Sequence, residues 1–178
     1  AQLRVAISLD FGWAPVEHGI RDTFEKRLAR FQSIFKSCAR FDPNIENALD
    51  VFWVLRGVQF LASHLARYRQ HRDQIGPNIV ANVEAGLNMT SEEIAWAHGE
   101  HTRLYRQFQT MFADYDVLIT PGQPITPTPV EQRNVTEVNN VPMKNYMHAS
   151  ALTSALTVMG NPCVSTPCGV DHTGLPFG

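Results

Sequence analysis

One stretch limits the fold more tightly than any other: Gly160-Asn161-Pro162-Cys163-Val164-Ser165-Thr166-Pro167-Cys168-Gly169, followed by Gly174-Leu175-Pro176-Phe177-Gly178. A Gly-x-Pro turn feeds a short apolar run, a second proline stops it, and a Gly-Leu-Pro-x-Gly turn follows. Proline fixes φ and has no N–H, so it can begin or end a buried strand but not sit in its middle. The segment is predicted to be one short core strand, Cys163 to Thr166, held between rigid turns.

The rest of the chain alternates strand and helix patterns. Leu3-Arg-Val-Ala-Ile-Ser8 reads as a buried strand. From Ile20 to about Phe35, the residues Phe24, Leu28, Phe31 and Phe35 recur at helical spacing, with Arg21, Glu25, Lys26 and Arg30 mostly opposite. A second strand follows at Cys38 to Phe41, and strand–helix–strand at this length implies parallel pairing. Asp42-Pro43 is expected to start a helix, since Asp can cap and Pro suits the first turn. Ile45, Ala48, Leu49, Phe52, Leu55, Val58, Leu61, Leu65 and Tyr68 mark its face, with a bend expected at Gly57. This reads as one long helix or two stacked ones, ending before Gly76-Pro77. A short helix, about Asn78 to Ala85, is expected to stop at Gly86. Thr90-x-x-Glu93 is a capping box that opens another helix. Asp116-Val-Leu-Ile-Thr-Pro121 is a strand ended by proline. A proline-rich connection then runs to about Pro142, and a loop of that length is functional or disordered. Met143 to Met159 is helical in pattern but small and polar at many positions. Strands 3–8, 116–120 and 163–166 read as apolar on both faces, which requires cover above and below.

Composition excludes several classes. At 178 residues, 44% hydrophobic, 18% charged and net charge −2, the chain suits one globular domain. It offers no electrostatic case for nucleic acid or an anionic membrane. The excess of 12 Arg over 3 Lys points to fixed ion pairs. No apolar run approaches the roughly 20 residues of a membrane span. No signal peptide is visible, and three cysteines at unremarkable spacings fit a reducing, cytoplasmic setting. The sequons Asn88-Met-Thr and Asn134-Val-Thr are therefore read as chance. His98-x-x-His101 lacks a third ligand placed by pattern, so no metal is expected. Cys163 and Cys168, which with His172 could form a thiol–imidazole pair, read more simply as two buried small hydrophobes.

The order of these motifs resembles the C-terminal half of the amidase signature family. The tail resembles that family's Gly-x-Pro-x-x-x-x-Pro-x-Gly and Gly-Leu-Pro-x-Gly segments. Leu3 to Asp10 resembles the strand that opens the family's C-terminal half, and Phe52-x-x-Leu55-Arg56 resembles its Phe-x-x-Leu-Arg helix. Gly86-Leu87-x-Met89-Thr90 resembles a recurring helix start, and Tyr115-Asp116-Val-Leu-Ile-Thr-Pro121 resembles the Tyr-Asp-x-Leu-x-x-Pro strand. The resemblance implies an α/β fold with a central mixed sheet flanked by helices, incomplete in this chain. Residues 1–178 would then be a partial domain, truncated at both ends.

The same resemblance implies amide hydrolysis by a Ser–Ser–Lys triad, in which a lysine deprotonates a bridging serine and that serine activates the nucleophile. None of that triad is expected here. The chain has no adjacent serine pair and no Gly/Ser-rich run, and Lys26, Lys36 and Lys144 lie outside the family's lysine context. The Pro121–Thr128 loop and a polar helix from Tyr146 to Thr153 are expected to wall the substrate pocket. Thr120, Pro121, Gly122, Tyr146, Met147, Ser150 and Thr153 are the candidate contacts. A stiff surface loop and a tightly packed helix remain the alternative for the same segments. The expected partners are a small-molecule amide and the missing N-terminal half of the same domain, with a homodimer left open and no cofactor. A non-catalytic partner-binding module derived from the same fold is the competing function.

In the amidotransferase branch of the family, an Asp ten residues before the Gly-x-Pro glycine holds a substrate amino group. Ser150 stands there in this chain, which implies a preference for neutral, hydrophobic amides over glutamine.

Overall fold

The computed structural model describes residues 2–178. Strand β1 (Arg4–Ile7) is the middle of a three-stranded parallel sheet, flanked by β2 (Ser37–Arg40) and β3 (Val117–Ile119). Val5, Ala6 and Ile7 are buried. Helix α1 (His18–Phe31) connects β1 to β2 and turns Ile20, Phe24 and Leu28 into the core. The predicted strand–helix–strand unit is thus present with parallel register. Its helix ends before Phe35, in a 3₁₀ turn at Gln32–Ile34 that leaves Phe31 and Phe35 edge to face at 6.1 Å. Arg4 ties β1 to β3: its N–H and its guanidinium both donate to Asp116, each at 2.8 Å at the closest. Those bonds hold the Asp116 carboxyl down to about 2.

Helix α2 (Ala48–His71) corrects two expectations. It begins six residues after Asp42, whose carboxylate does not cap it: Oδ1 accepts instead from the Ser8 hydroxyl at 2.6 Å. Nor does Gly57 divide the helix. α3 (Pro77–Asn88) runs through Gly86 rather than stopping there. A Cβ built on Gly86 would lie 2.6 Å from the Gly57 carbonyl oxygen, and one on Gly57 would lie 3.3 Å from Gly86 Cα. The two glycines let α2 and α3 approach backbone to backbone, a use of glycine that sequence alone does not distinguish from a breaker.

Helix α4 (Ser91–Thr110) starts on the predicted capping box. The Glu93 N–H donates to Thr90 Oγ1 at 3.1 Å, and the Thr90 N–H donates to the Glu93 carboxylate at 2.7 Å. The long proline-rich connection contains an unpredicted hairpin, β4 (Glu137–Val138) with β5 (Val141–Pro142). Its turn residues Asn139 and Asn140 have φ of 51° and 64°, the arrangement that matches strand twist in a two-residue turn. Asn139 also anchors the hairpin, accepting from the His18 N–H at 3.2 Å and donating to the Val16 carbonyl at 2.8 Å.

Only Ala151–Met159 of the predicted final helix is α-helical (α5). Asn145 intercepts the chain earlier, accepting the Met147 N–H at 2.9 Å in an Asx-type turn. One apolar core joins β1, α1, α2, α4, α5 and Phe177.

The tail departs most from expectation. Its final turn forms as predicted, with Cys168 N–H donating to Phe177 O at 2.7 Å and Phe177 N–H to Gly169 O at 2.8 Å. Cys163 to Thr166, however, is neither a strand nor buried; Val164 is 86% exposed. Cys163 is exposed and Cys168 half-buried, so neither is the buried hydrophobe expected. A core strand needs neighbours on both sides, and no described strand pairs with this one.

Candidate functional site

Tyr146 is the best-anchored of the candidate contacts. Its hydroxyl accepts from Asn82 Nδ2 at 2.6 Å and Arg56 Nη2 at 3.1 Å. Asn82 is 1% exposed and also donates to the Asn78 carbonyl at 2.6 Å, while its Oδ1 accepts from Arg56 Nε at 3.1 Å. Arg56 in turn lies over the Phe60 ring at 4.5 Å, and Trp53 meets Tyr146 edge to face at 6.5 Å. This knot joins α2, α3 and the turn before α5. The sequence carried one signal for it: Asn82 is a polar residue beside Val83 and Gly86 on the buried face of α3. Arg56 closes the Phe-x-x-Leu-Arg motif, but nothing in the pattern joined it to Tyr146.

A buried amide with this many partners is expensive to lose. Asn82→Leu is expected to cost about 2 kcal/mol, because it strands Arg56 Nε and removes a donor from Tyr146. Tyr146→Phe added to Asn82→Leu is expected to cost less than it does alone. Chemical denaturation of the four proteins of that cycle checks both statements; additive losses would mean that Asn82 and Tyr146 do not act together.

Met147 and Ser150 continue the same turn, with Ser150 N–H donating to Met147 O at 2.9 Å. Ser150 sits half-exposed at the start of α5, and its carbonyl accepts from the Thr153 hydroxyl at 3.0 Å. Thr153 is exposed with its hydroxyl turned back onto the helix. Beside them His148 accepts from the Lys144 N–H at 3.1 Å. Burial first, and the Lys144 charge second, hold that imidazole below its ordinary range.

Thr120, Pro121 and Gly122 stand at the end of β3. The Thr120 hydroxyl is buried without a hydrogen-bond partner among the described residues, and Pro121 is buried. Gly122 packs against the tail: its N–H donates to Gly178 O at 2.8 Å, and a Cβ there would meet that oxygen at 2.9 Å. No hydrogen bond, ion pair or ring contact joins this group to the Tyr146–Thr153 group among the described residues. Two surface cavities, of about 210 and 180 Å³, include none of the seven candidates.

The histidine pair does not converge on a common point. His101 Nε2 donates to Val158 O at 2.7 Å, while His98 is exposed. Among the described residues no group of three or more His, Cys, Asp or Glu side chains could hold a metal ion, and no helix is long and apolar enough to cross a membrane.

Comparison with known proteins places this architecture. The A component of the glutamyl-tRNA(Gln) amidotransferase of Caldanaerobacter subterraneus subsp. tengcongensis is 25% identical over 202 aligned residues, covering 99% of this chain and 40% of that protein. Putative amidase AmiD of Mycobacterium tuberculosis is 26% identical, over 69% of this chain and 25% of its own length. A bacterial aryl acylamidase of the amidase signature family superposes with a TM-score of 0.85 at 19% identity, over 99% of this chain and 39% of that one. The chain thus spans about 40% of the first curated relatives it matches. These matches give a free-standing binding module no support of its own. The amidase family model matches residues 1–178, and the chain belongs to the amidase signature family.

Proposed function

We propose that the protein carrying this chain hydrolyses a neutral, hydrophobic carboxylic amide or anilide by Ser–Ser–Lys acyl-enzyme chemistry. The chain's part is to wall the substrate pocket with Thr120, Pro121, Gly122, Tyr146, Met147, Ser150 and Thr153. The triad is contributed by the N-terminal half of the same domain, for which the exposed run Cys163 to Thr166 and the outer edge of β3 are the seats. Membership of the amidase family along the whole chain supports the reaction class.

Ser150 carries the substrate preference. Its hydroxyl holds no hydrogen bond among the described residues and carries no charge, so a substrate ammonium would lose a charge-assisted bond there. That bond is worth about 1.5–3 kcal/mol, or roughly 10- to 100-fold in kcat/KM. The amidotransferase relative is 25% identical to this chain, and the preference proposed here rests on Ser150 standing where the resemblance to that branch implies an Asp.

Kinetics on the full-length protein test this. A higher kcat/KM is expected for benzamide or an acyl-anilide than for glutamine; the reverse order would overturn the reading. Ser150→Asp is expected to raise kcat/KM for glutamine about 10-fold and to lower it for the neutral amide. A carboxylate at the start of α5 also suits the helix dipole, so stability should not fall and mask the kinetic change. A variant altered only in stability would make Ser150 a packing residue.

A further inference from the structure

We infer that the cavity between α1 and the tail turn at Val170–His172 binds a compact polyvalent oxyanion of the phosphate class. The cavity measures about 210 Å³, and Lys26, Arg27 and Arg30 supply its charged wall on one turn of α1. Five other arginines (Arg4, Arg21, Arg40, Arg72 and Arg103) each hold a carboxylate. These three cations hold none among the described residues. Lys26 and Arg30 are four apart on the helix, a like-charge spacing that is unfavourable until an anion joins them.

Asp171 is the one acid that lines the cavity; its Oδ1 is committed to the tail turn, and its Oδ2 is buried without a hydrogen-bond partner among the described residues. It is buried, and its Oδ1 accepts from the Thr173 N–H and hydroxyl, both at 2.7 Å, and from the Leu175 N–H at 3.1 Å. Three cations against one carboxylate leave an excess of two positive charges on the lining.

The walls are also preformed. Arg27 Nη2 donates to the Val170 carbonyl at 2.8 Å, and the guanidinium lies against Gly169, where a Cβ would fall 3.1 Å from Nη2. The His172 ring is seated on Gly19, where a Cβ would fall 2.3 Å from Cε1. Two glycines therefore keep space for the arginine and the imidazole that face the cavity. The volume is below the roughly 300 Å³ at which drug-sized pockets begin, so it suits a phosphoryl group rather than a whole nucleotide. Fork-shaped guanidinium donors beside a lysine point charge match an oxyanion with several acceptor oxygens.

Calorimetric titration of the full-length protein with inorganic phosphate at low ionic strength is expected to show saturable binding that chloride at matched ionic strength does not reproduce. Lys26→Glu with Arg30→Glu is expected to weaken it at least about tenfold, with the thermal midpoint retained. Lys26→Gln alone, a milder change that safeguards the fold, is expected to weaken it about threefold. Arg133→Glu, on the exposed proline-rich connection outside the cavity, is expected to change nothing. Phenyl phosphate binding more tightly than inorganic phosphate would assign the site to a phosphorylated small molecule, and equal affinity to the free ion; either supports the proposal. Heats that do not saturate, or an affinity unchanged in both Lys26 variants, would overturn it.

Discussion

The 178-residue chain by itself is expected to hydrolyse p-nitroacetanilide no faster than buffer does. An amide hydrolase of the Ser–Ser–Lys kind needs a desolvated lysine within hydrogen-bond reach of a serine. Lys26, Lys36 and Lys144 are all exposed, and among the described residues none of their ammonium groups bonds a serine hydroxyl. None of the three is therefore placed to act as the base of such a triad. Removing nucleophile and base together costs a comparable enzyme about 10⁶ in turnover, so the difference from the full-length protein should be unmistakable. Active-site titration is the decisive measurement. A burst of nitroaniline equal to the concentration of the isolated chain would show that a complete site exists within it.

Gly86→Val is expected to destabilise the protein by about 3 kcal/mol, the largest effect foreseen for a single substitution. A Cβ at position 86 meets the Gly57 carbonyl oxygen at 2.6 Å and Leu61 Cγ at 2.9 Å. Leu61 can turn aside, but the Gly57 carbonyl belongs to the middle of α2 and cannot. Relief requires α3 to move away from α2, which would also pull Asn82 from Arg56 and Tyr146. Gly99→Ala is the matching control, because a Cβ on Gly99 meets nothing within 4 Å. That substitution is expected to stabilise α4 by about 0.5–1 kcal/mol, the ordinary helix preference for alanine. Denaturation midpoints of the two variants should therefore move in opposite directions. A Gly86→Val protein as stable as its parent would mean that the two helices do not cross on these glycines.

That pair of glycines also shows where sequence reasoning stops. Gly57 and Gly86 both carried the pattern of a helix bend or end, and both lie inside uninterrupted helices. A glycine used as a breaker and one used for close approach look alike in one dimension; only the opposing backbone separates them. The same holds for Asp42, a plausible cap whose carboxylate went to Ser8, 34 residues away. Tyr146 stood out in the sequence as a candidate contact, but its hydrogen-bond partners Arg56 and Asn82 lie 90 and 64 positions from it, beyond any periodic pattern.

What the sequence determined by itself was local or periodic. The β1–α1–β2 unit followed from apolar spacing, the start of α4 from Thr90 and Glu93, and the closing turn from its glycines and proline, since each is stabilised by residues within a few positions. The family was legible for the same reason, because its motifs are short runs in a fixed order. Only the tertiary structure decided which apolar residues find a neighbour. Cys163 to Thr166 has the composition of a core strand and lies open, because a strand's burial belongs to the strands beside it, and none of the described strands reaches it.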